Sequence, residues 1–240
     1  MEVATKLRRR PTRIAALTGG LGVALVAVTS VIAGIGEYER RSAAASMEAA
    51  TEAHFLADHA DRLFEVSEIG LTAATNLLGE QSWDAVSGSQ VTQQQLRRLA
   101  DAMPYIEDFW FNDERGLLRI TSFGFPTPFS DASDRASFIA ARQPGHDLFI
   151  GDLIVGKVTK RPTFLVSRRL ETADGTFRGM ASVTADLAYF TDYWKDLSLS
   201  YDSRVMLFRA GNFGILARYP DVDDDVVTIG TTAQRAIGAA

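Results

Sequence analysis

The sequence predicts an α+β fold, a long helical stretch leading into a mainly antiparallel sheet with helical interruptions. Three observations predict it. Ile14 to Gly36 is a 23-residue run without a charge. Tyr38 to Leu78 contains no proline, and only Gly70 interrupts its alanine-, glutamate- and leucine-rich pattern. From Tyr105 onward, short apolar runs alternate with turn residues at the spacing of strands.

Length and charge set the frame. The 240 residues leave room for one large domain or two small ones, and a 46% apolar content suffices for a core. Lys6, Arg8, Arg9, Arg10 and Arg13 against Glu2 put +4 ahead of the uncharged run; with a total of −5, everything after it carries −9. So acidic a remainder has no electrostatic footprint for nucleic acid. The absence of cysteine excludes disulfides, thiolate metal sites and cysteine nucleophiles together.

Each segment can be justified in turn. At about 1.5 Å per residue the 14–36 run reaches roughly 34 Å, enough to cross a hydrocarbon core of about 30 Å. It exceeds the ~7–15 apolar residues of a secretory leader, although Ser42 to Ser46 (SAAAS) offers small residues near a possible cut. The basic flank places residues 1–13 in the cytoplasm and the remainder outside, a single-pass arrangement in the cell membrane with a periplasmic domain. Ala16, Gly20 and Ala24 form a small-xxx-small stripe in the span.

Residues 37–79 read as one long helix whose apolar stripe, Phe55, Leu56, Leu63, Phe64, Val66 and Ile69, packs on the domain C-terminal to it. Gln93 to Ala102 reads as a second helix ending before Pro104. Tyr105–Phe111 and Leu117–Ser122 form a hairpin about Asn112–Gly116, and a Pro/Gly-rich loop, Phe123 to Asp131, precedes a short helix near 134–142. Leu148–Gly151, Thr163–Glu171 and Phe177–Ala185 are three more strands, the last two joined by Ala173-Asp174-Gly175. Leu187–Leu197 is an amphipathic helix. Arg204–Phe208 and Ile215–Tyr219 form a second hairpin about Gly211-Asn212, and the acidic, then small and polar, tail from 221 to 240 is expected to be disordered.

Asp134-Arg135 with Phe138, Leu148 to Gly151, Ser167-Arg168-Arg169-Leu170, Asp174 to Gly179, Asp186, Tyr189-Phe190 and Leu216 to Pro220 together resemble a double Cache sensor region. The variety is the one at the front of bacterial diguanylate cyclases and sensor histidine kinases. The resemblance covers about residues 38–220 and implies a membrane-distal PAS-like sheet over 80–198 and the start of a membrane-proximal one over 199–220. It further implies a homodimer and a small-molecule ligand, an organic acid or amino acid. The proximal sheet shows only its first hairpin, whose turn reads Ala210-Gly211-Asn212-Phe213-Gly214 where Asp-Gly is usual. Nothing after it resembles an output domain, so the chain is expected to be a truncated receptor front.

In relatives that bind amino acids, an arginine on the short helix holds the ligand carboxylate and an aspartate after the last distal strand holds its amine. Arg135 and Asp186 stand at those positions; Ser137 replaces a usual tryptophan, and Phe138 keeps the next aromatic. Period-two alternation puts Phe177, Gly179, Ala181 and Val183 on a packed face and Met180, Ser182, Thr184 and Asp186 on a face that lines a pocket. Either Arg168 or Arg169 faces inward, according to register. The candidate ligand-binding residues are therefore Arg135, Phe138, Arg168 and Asp186.

Neither metal nor cofactor is expected. His54, His59 and His146 lack ligand spacing and are assigned to the surface, and Asp221, Asp223 and Asp225 imitate a calcium loop that Val226 and Thr232 break. No phosphate loop or hydrolase motif occurs after Gly36, so no enzymatic activity is expected. Against the sensor reading stand a structural or dimerisation scaffold with an empty sheet and a degenerate receptor fragment without a ligand.

Overall fold

The computed structural model describes residues 9–145, 148–197 and 204–220; in the first helix, side chains are described at residue 30 and from residue 34 onward. The chain divides into two units, Met1–Leu56 and Ala57–Ala240. Helix α1, Arg9–Leu78, runs through 70 residues and contains the helix expected over 37–79. Most side chains of the 14–36 run lie outside the described residues, and among the described residues no helix is long and apolar enough to cross a membrane. Within the first unit the described contacts are local ones. Arg41 pairs with Glu37 at 2.8 Å, and the Ser46 and Thr51 hydroxyls donate to carbonyls one turn back, while Tyr38, Met47 and Phe55 are exposed.

In the second unit, α1 is followed by α2, Trp83–Ser87, and α3, Gln90–Asp101, each opened by a serine, Ser82 or Ser89, that accepts from a backbone N–H in the first turn. Strands β1, Ile106–Asp113, and β2, Leu118–Thr121, form the first hairpin. Helix α4, Ala136–Ala141, strand β3, Phe149–Ile150, and a small hairpin of β4, Ile154–Val155, and β5, Pro162–Thr163, come next. Strands β6, Leu165–Glu171, and β7, Phe177–Ala185, complete an antiparallel sheet of order β2-β1-β7-β6-β3. Helix α5, Leu187–Asp196, leads to a separate two-stranded sheet of β8, Val205–Phe208, and β9, Ile215–Tyr219. The five expected strands thus form one sheet. The two-residue strands β4 and β5 and the five-residue α2 are additions to the expected set. The 221–240 tail and His146 lie outside the described residues.

The sheet is two-faced because side chains alternate along each strand. Phe109 and Phe111 of β1, Ala181 and Val183 of β7 and Val166 of β6 are fully buried on the face that α1 covers. The covering stripe of α1 is His59/Ala60, Leu63, Ser67, Gly70/Leu71, Ala74 and Leu78, whereas Phe55 and Ile69, expected in it, are exposed. The reason is an offset of the helix face set by Gly70: a Cβ there would lie 2.6 Å from Ile106 Cδ1 and 3.3 Å from the Phe109 ring. Helix and sheet meet at the point where α1 has no side chain.

Two further contacts fasten that face. Arg178 donates to the carbonyls of Gly79 and Gln81 at 2.5 Å and lies 4.9 Å over the Trp83 ring, whose Nε1 donates back to the Arg178 carbonyl. Gly179, at φ +150, brings β7 so close to β1 that a Cβ would lie 2.1 Å from the Asn112 carbonyl oxygen. Here the alternation slips by one residue, beside a register shift at Leu170/Glu171. Phe177, expected on the α1 face, instead packs with Phe138, Ala141 and Met180 on the opposite one.

His59, assigned to the surface from sequence, is a correction: it is 7% exposed. Its ring stacks on Tyr193 at 3.8 Å and 6° and lies 5.4 Å from Tyr189, with Phe190 edge-on and Tyr105 tilted beside it. The tyrosines come from α5 and the residue just before β1, so helical spacing alone could not show the cage. Nε2 has no hydrogen-bond partner among the described residues. Burial, aided by the Arg62 charge, holds the His59 pKa below the ordinary 6.5, while hydrogen bonding to Tyr189 and burial push Tyr105 up to about 12. Below about pH 6.5 the unfolded chain therefore binds a proton that folded His59 resists. The stability this site contributes is fully present above that pH and is lost as pH falls. Half-buried Glu107 and buried Asp108, whose pKa values loss of solvent raises, act in the opposite sense, so a difference measurement is needed. The unfolding midpoint of the wild type minus that of His59→Phe should fall between pH 7 and 5, and a flat difference would contradict the burial of a neutral imidazole.

Candidate functional site

The sheet face turned away from α1 is only partly covered, and a cleft opens there. Its floor is polar and apolar by turns: Trp110 and Asn112 from β1, Met180, Ser182 and Thr184 from β7, and Leu165 from β6. Register explains the grouping, since Trp110 pairs with Ser182, Asn112 with Met180 and Leu165 with Thr184. The face expected from β7 to line a pocket does so at Met180, Ser182 and Thr184. These floor groups already have partners. Thr184 Oγ1 accepts from the Asp108 N–H at 3.0 Å, Ser182 donates to Ser167 at 2.9 Å and Asn112 Nδ2 donates to the Gly116 carbonyl at 2.9 Å.

Three segments make the walls. Leu117 bridges to Asp131, with the Leu118 N–H on Ser130 and the Ala132 N–H on Gly116, which brings the end of the 123–131 loop to the rim. The start of α4 supplies Arg135 and Ser137, and the loop between β4 and β5 supplies Gly156, Lys157 and Thr159. The cavity volume is about 80 Å³, room for roughly five to eight water-sized occupants at ~10–15 Å³ each. Arg135 and Ser137 also border a smaller recess with Asp152 and Gly151.

The charged groups of the cleft are two cations. Arg135 donates from Nη2 to the Val155 carbonyl at 3.3 Å and makes no ion pair among the described residues. Of its five N–H donors, most are free for a ligand. Lys157 donates to the Asp131 carbonyl and to Asp134 Oδ1, both at 2.6 Å. Its hydrogen bond is the main reason the Asp134 carboxyl is held below its ordinary pKa, while Asp131 is held down chiefly by the Ser133 N–H.

The four candidate residues part company. Arg135 is in the cleft. Phe138, 2% exposed, packs beneath it against Met180 and braces α4. Arg168 is on the other side of the sheet, opposite Ala181, where it donates to Thr72 at 2.8 Å and Glu68 at 3.0 Å of α1. Asp186 caps α5, accepting from the Ala188 and Tyr189 N–H groups at 3.0 and 3.3 Å, and does not line the cleft. Register also settles Arg169, which lies on the cleft-side face but closes the end of α4 by donating to the Ala141 and Arg142 carbonyls, its guanidinium 4.7 Å from the Phe177 ring. Lys157, Trp110 and Asn112 are site residues that sequence reading missed. The alternation through Trp110 and Asn112, and the basic loop Gly156-Lys157-Val158-Thr159-Lys160-Arg161, were the available signals.

No protein-family model matches the chain, and no curated protein matches it. Solved structures do. The extracellular domain of rpHK1S-Z16, described as belonging to a histidine kinase, is 29% identical with a TM-score of 0.65, over 75% of this chain and 71% of that one. The chain shares its fold with an extracellular histidine-kinase domain. The ligand-binding domain of the Campylobacter jejuni chemoreceptor Tlp3, solved with L-norvaline, is 13% identical with a TM-score of 0.47, over 70% of this chain and 73% of that one. The sensor domain of the Vibrio cholerae histidine kinase DctB is 13% identical with a TM-score of 0.44, over 68% and 66%. These last two are too distant to carry an argument.

The placement of Arg168 has a direct consequence. Arg168→Met should lower stability by about 0.5–1.5 kcal/mol, the scale of a partly exposed ion pair with one further hydrogen bond, as read from urea unfolding. It should leave the affinity for any ligand of the cleft within about twofold.

Proposed function

We propose that this chain is the extracytoplasmic, membrane-anchored sensor region of a bacterial receptor of the histidine kinase or diguanylate cyclase type. In this reading the five-stranded sheet is the distal Cache domain and β8–β9 the start of a proximal one, and the cleft binds a small anionic or zwitterionic solute. The observation that carries the reading is Arg135, a cation without a carboxylate partner among the described residues, at the wall of a cleft on the sheet face opposite α1. A half-exposed guanidinium that keeps most of its donors open at the wall of a cleft is suited to meet an anion there. The fold shared with an extracellular histidine-kinase domain supports the sensor class.

Transmission would be a population shift: a solute that binds one arrangement of the cleft better than another favours that arrangement throughout the sheet. The contacts from β6 to α1 through Arg168, Glu68 and Thr72 give such a shift a route to the long helix. Tyr38, Met47 and Phe55, exposed on α1, are compatible with the homodimer that the resemblance implies.

Two outcomes test this function. Arg135→Ala should weaken ligand binding by about 1.5–3 kcal/mol in a calorimetric titration, the range for a hydrogen bond to a charged group; unchanged affinity would remove Arg135 from the site. An alkaline phosphatase fusion at residue 200 should be active in cells, because the basic flank and the 14–36 run place that point outside. Activity only from a cytoplasmic reporter fused there would contradict the topology.

A further inference from the structure

The ring cluster about His59 joins three separate parts of the second unit. His59 is on α1, Tyr189, Phe190 and Tyr193 are on α5, and Tyr105 stands just before β1. The imidazole lies parallel to Tyr193 and to Tyr189, within 6° and 4°, with Phe190 edge-on. Phe190 in turn packs on buried Trp194, and α5 packs on β9. His59 is therefore where α1 grips the helix that leads to the β8–β9 hairpin.

That grip depends on an uncharged ring. Neutral imidazole has one N–H and one bare nitrogen, whereas the protonated ring has two N–H donors and a charge. Nε2 is buried without a hydrogen-bond partner among the described residues, and the Tyr105 and Tyr189 phenols are hydrogen-bonded to each other. The tyrosine faces attract an imidazolium, but an N–H in the plane of the imidazole runs parallel to both faces and donates to neither.

The charged groups on the packed elements do not compensate. On α1, Asp58 and Arg62 are exposed, and the Arg62 guanidinium opposes a second positive charge. On α5, Asp186 is engaged by the Ala188 and Tyr189 amides, and Asp192 is exposed. Beyond Tyr105, Glu107 is paired with Arg161. Burial first and Arg62 second hold the His59 pKa below 6.5. Protonation thus requires the imidazole to reach water.

A buried neutral histidine lowers stability in acid wherever it sits; its place here decides which element leaves first. The buried residues of α5 are Phe190 and Trp194, whereas α1 is fixed on the sheet by Leu63, Leu71, Ala74 and Leu78, so α5 yields before α1 does. We propose that His59 is an acid-released catch: uncharged, its ring holds α5 on α1, and on protonation it frees α5 together with the β8–β9 hairpin. Acid shifts the population from the held to the freed arrangement. This proton input acts on the hairpin without passing through the cleft, so it goes beyond the sensor reading and does not depend on it.

Two labels on the purified full-length chain separate protonation from release. The three tryptophans, Trp83, Trp110 and Trp194, are replaced by 5-fluorotryptophan. Isotope-labelled histidine rings report protonation, the His59 signal being the one missing from His59→Phe. Between about pH 7 and 5 the Trp194 fluorine signal should shift with the same midpoint as the His59 ring, below 6.5, while the Trp83 and Trp110 signals hold their positions. His59→Phe should abolish the Trp194 shift. Arg62→Gln, at an exposed position, should move both midpoints upward together, and it decides the matter if His59→Phe does not fold. A His59 ring that stays neutral through this range, a Trp194 signal unmoved while His59 protonates, or a Trp194 shift retained in His59→Phe would overturn the proposal. So would all three tryptophan signals shifting together, the mark of general unfolding, or two midpoints that part in Arg62→Gln.

Discussion

The alternation of side chains along β1 from Asp108 and along β7 from Met180 onward is the constraint on which the other features depend. On one face it places Phe109, Phe111, Ala181 and Val183, all fully buried, and each large side chain there is worth about 1.5–3 kcal/mol of burial against α1. On the other it places Trp110, Asn112, Ser182 and Thr184, which form the cleft floor. Neither face can be changed without the same strands carrying the change to the other. Gly70 and Gly179 permit the arrangement, the first by letting α1 approach Ile106 and Phe109, the second by letting β7 approach the Asn112 carbonyl. A Cβ at either would hold apart the surfaces whose contact defines the face.

That geometry explains why two neighbouring arginines have unrelated tasks. Arg168 points to α1 and is bound by Glu68 and Thr72, while Arg169 points to the cleft side and closes the end of α4. Since Arg135 is the cap residue just before α4, Arg169 fixes the far end of the short helix whose near end supplies the cation of the cleft. The Asp174-to-Gly179 segment works similarly. Asp174 accepts from Thr176 within the turn, Phe177 packs on Phe138, and Arg178 ties the end of α1 to the strand. The Ser167–Leu170 and Asp174–Gly179 parts of the resemblance are thus largely structural contacts around the site, while Trp110, Asn112 and Lys157, which line the cleft, come from stretches outside it.

The legible part of the sequence has a physical cause. The long helix, both hairpins, the five strands of the sheet and the pocket-lining face of β7 all rest on periodicity, which acts over many residues and is visible in one segment at a time. Helix α2 and the β4–β5 hairpin were not visible, because five-residue and two-residue elements have no period to detect. The positions of Arg168 and Asp186 depended on register and capping, and the burial of His59 depended on tyrosines nearly fifty to more than a hundred and thirty residues away. Phe177 was misplaced because the alternation slips beside Gly179, where the backbone adopts φ +150. Lys157 was overlooked since a basic residue in a loop is ordinarily solvated, and only the fold brings it opposite the floor of the sheet.

The central claim is that one face of the sheet receives a solute and the other relays its presence to α1. Hydrogen–deuterium exchange on the full-length chain, with and without the first solute found to raise its unfolding temperature, tests it most directly. The claim requires added protection in β7 and the 154–163 loop together with a change in α1 around Glu68–Thr72, and little change in α2. Protection confined to α1 or to the β8–β9 hairpin, with β7 and the 154–163 loop unaltered, would contradict it.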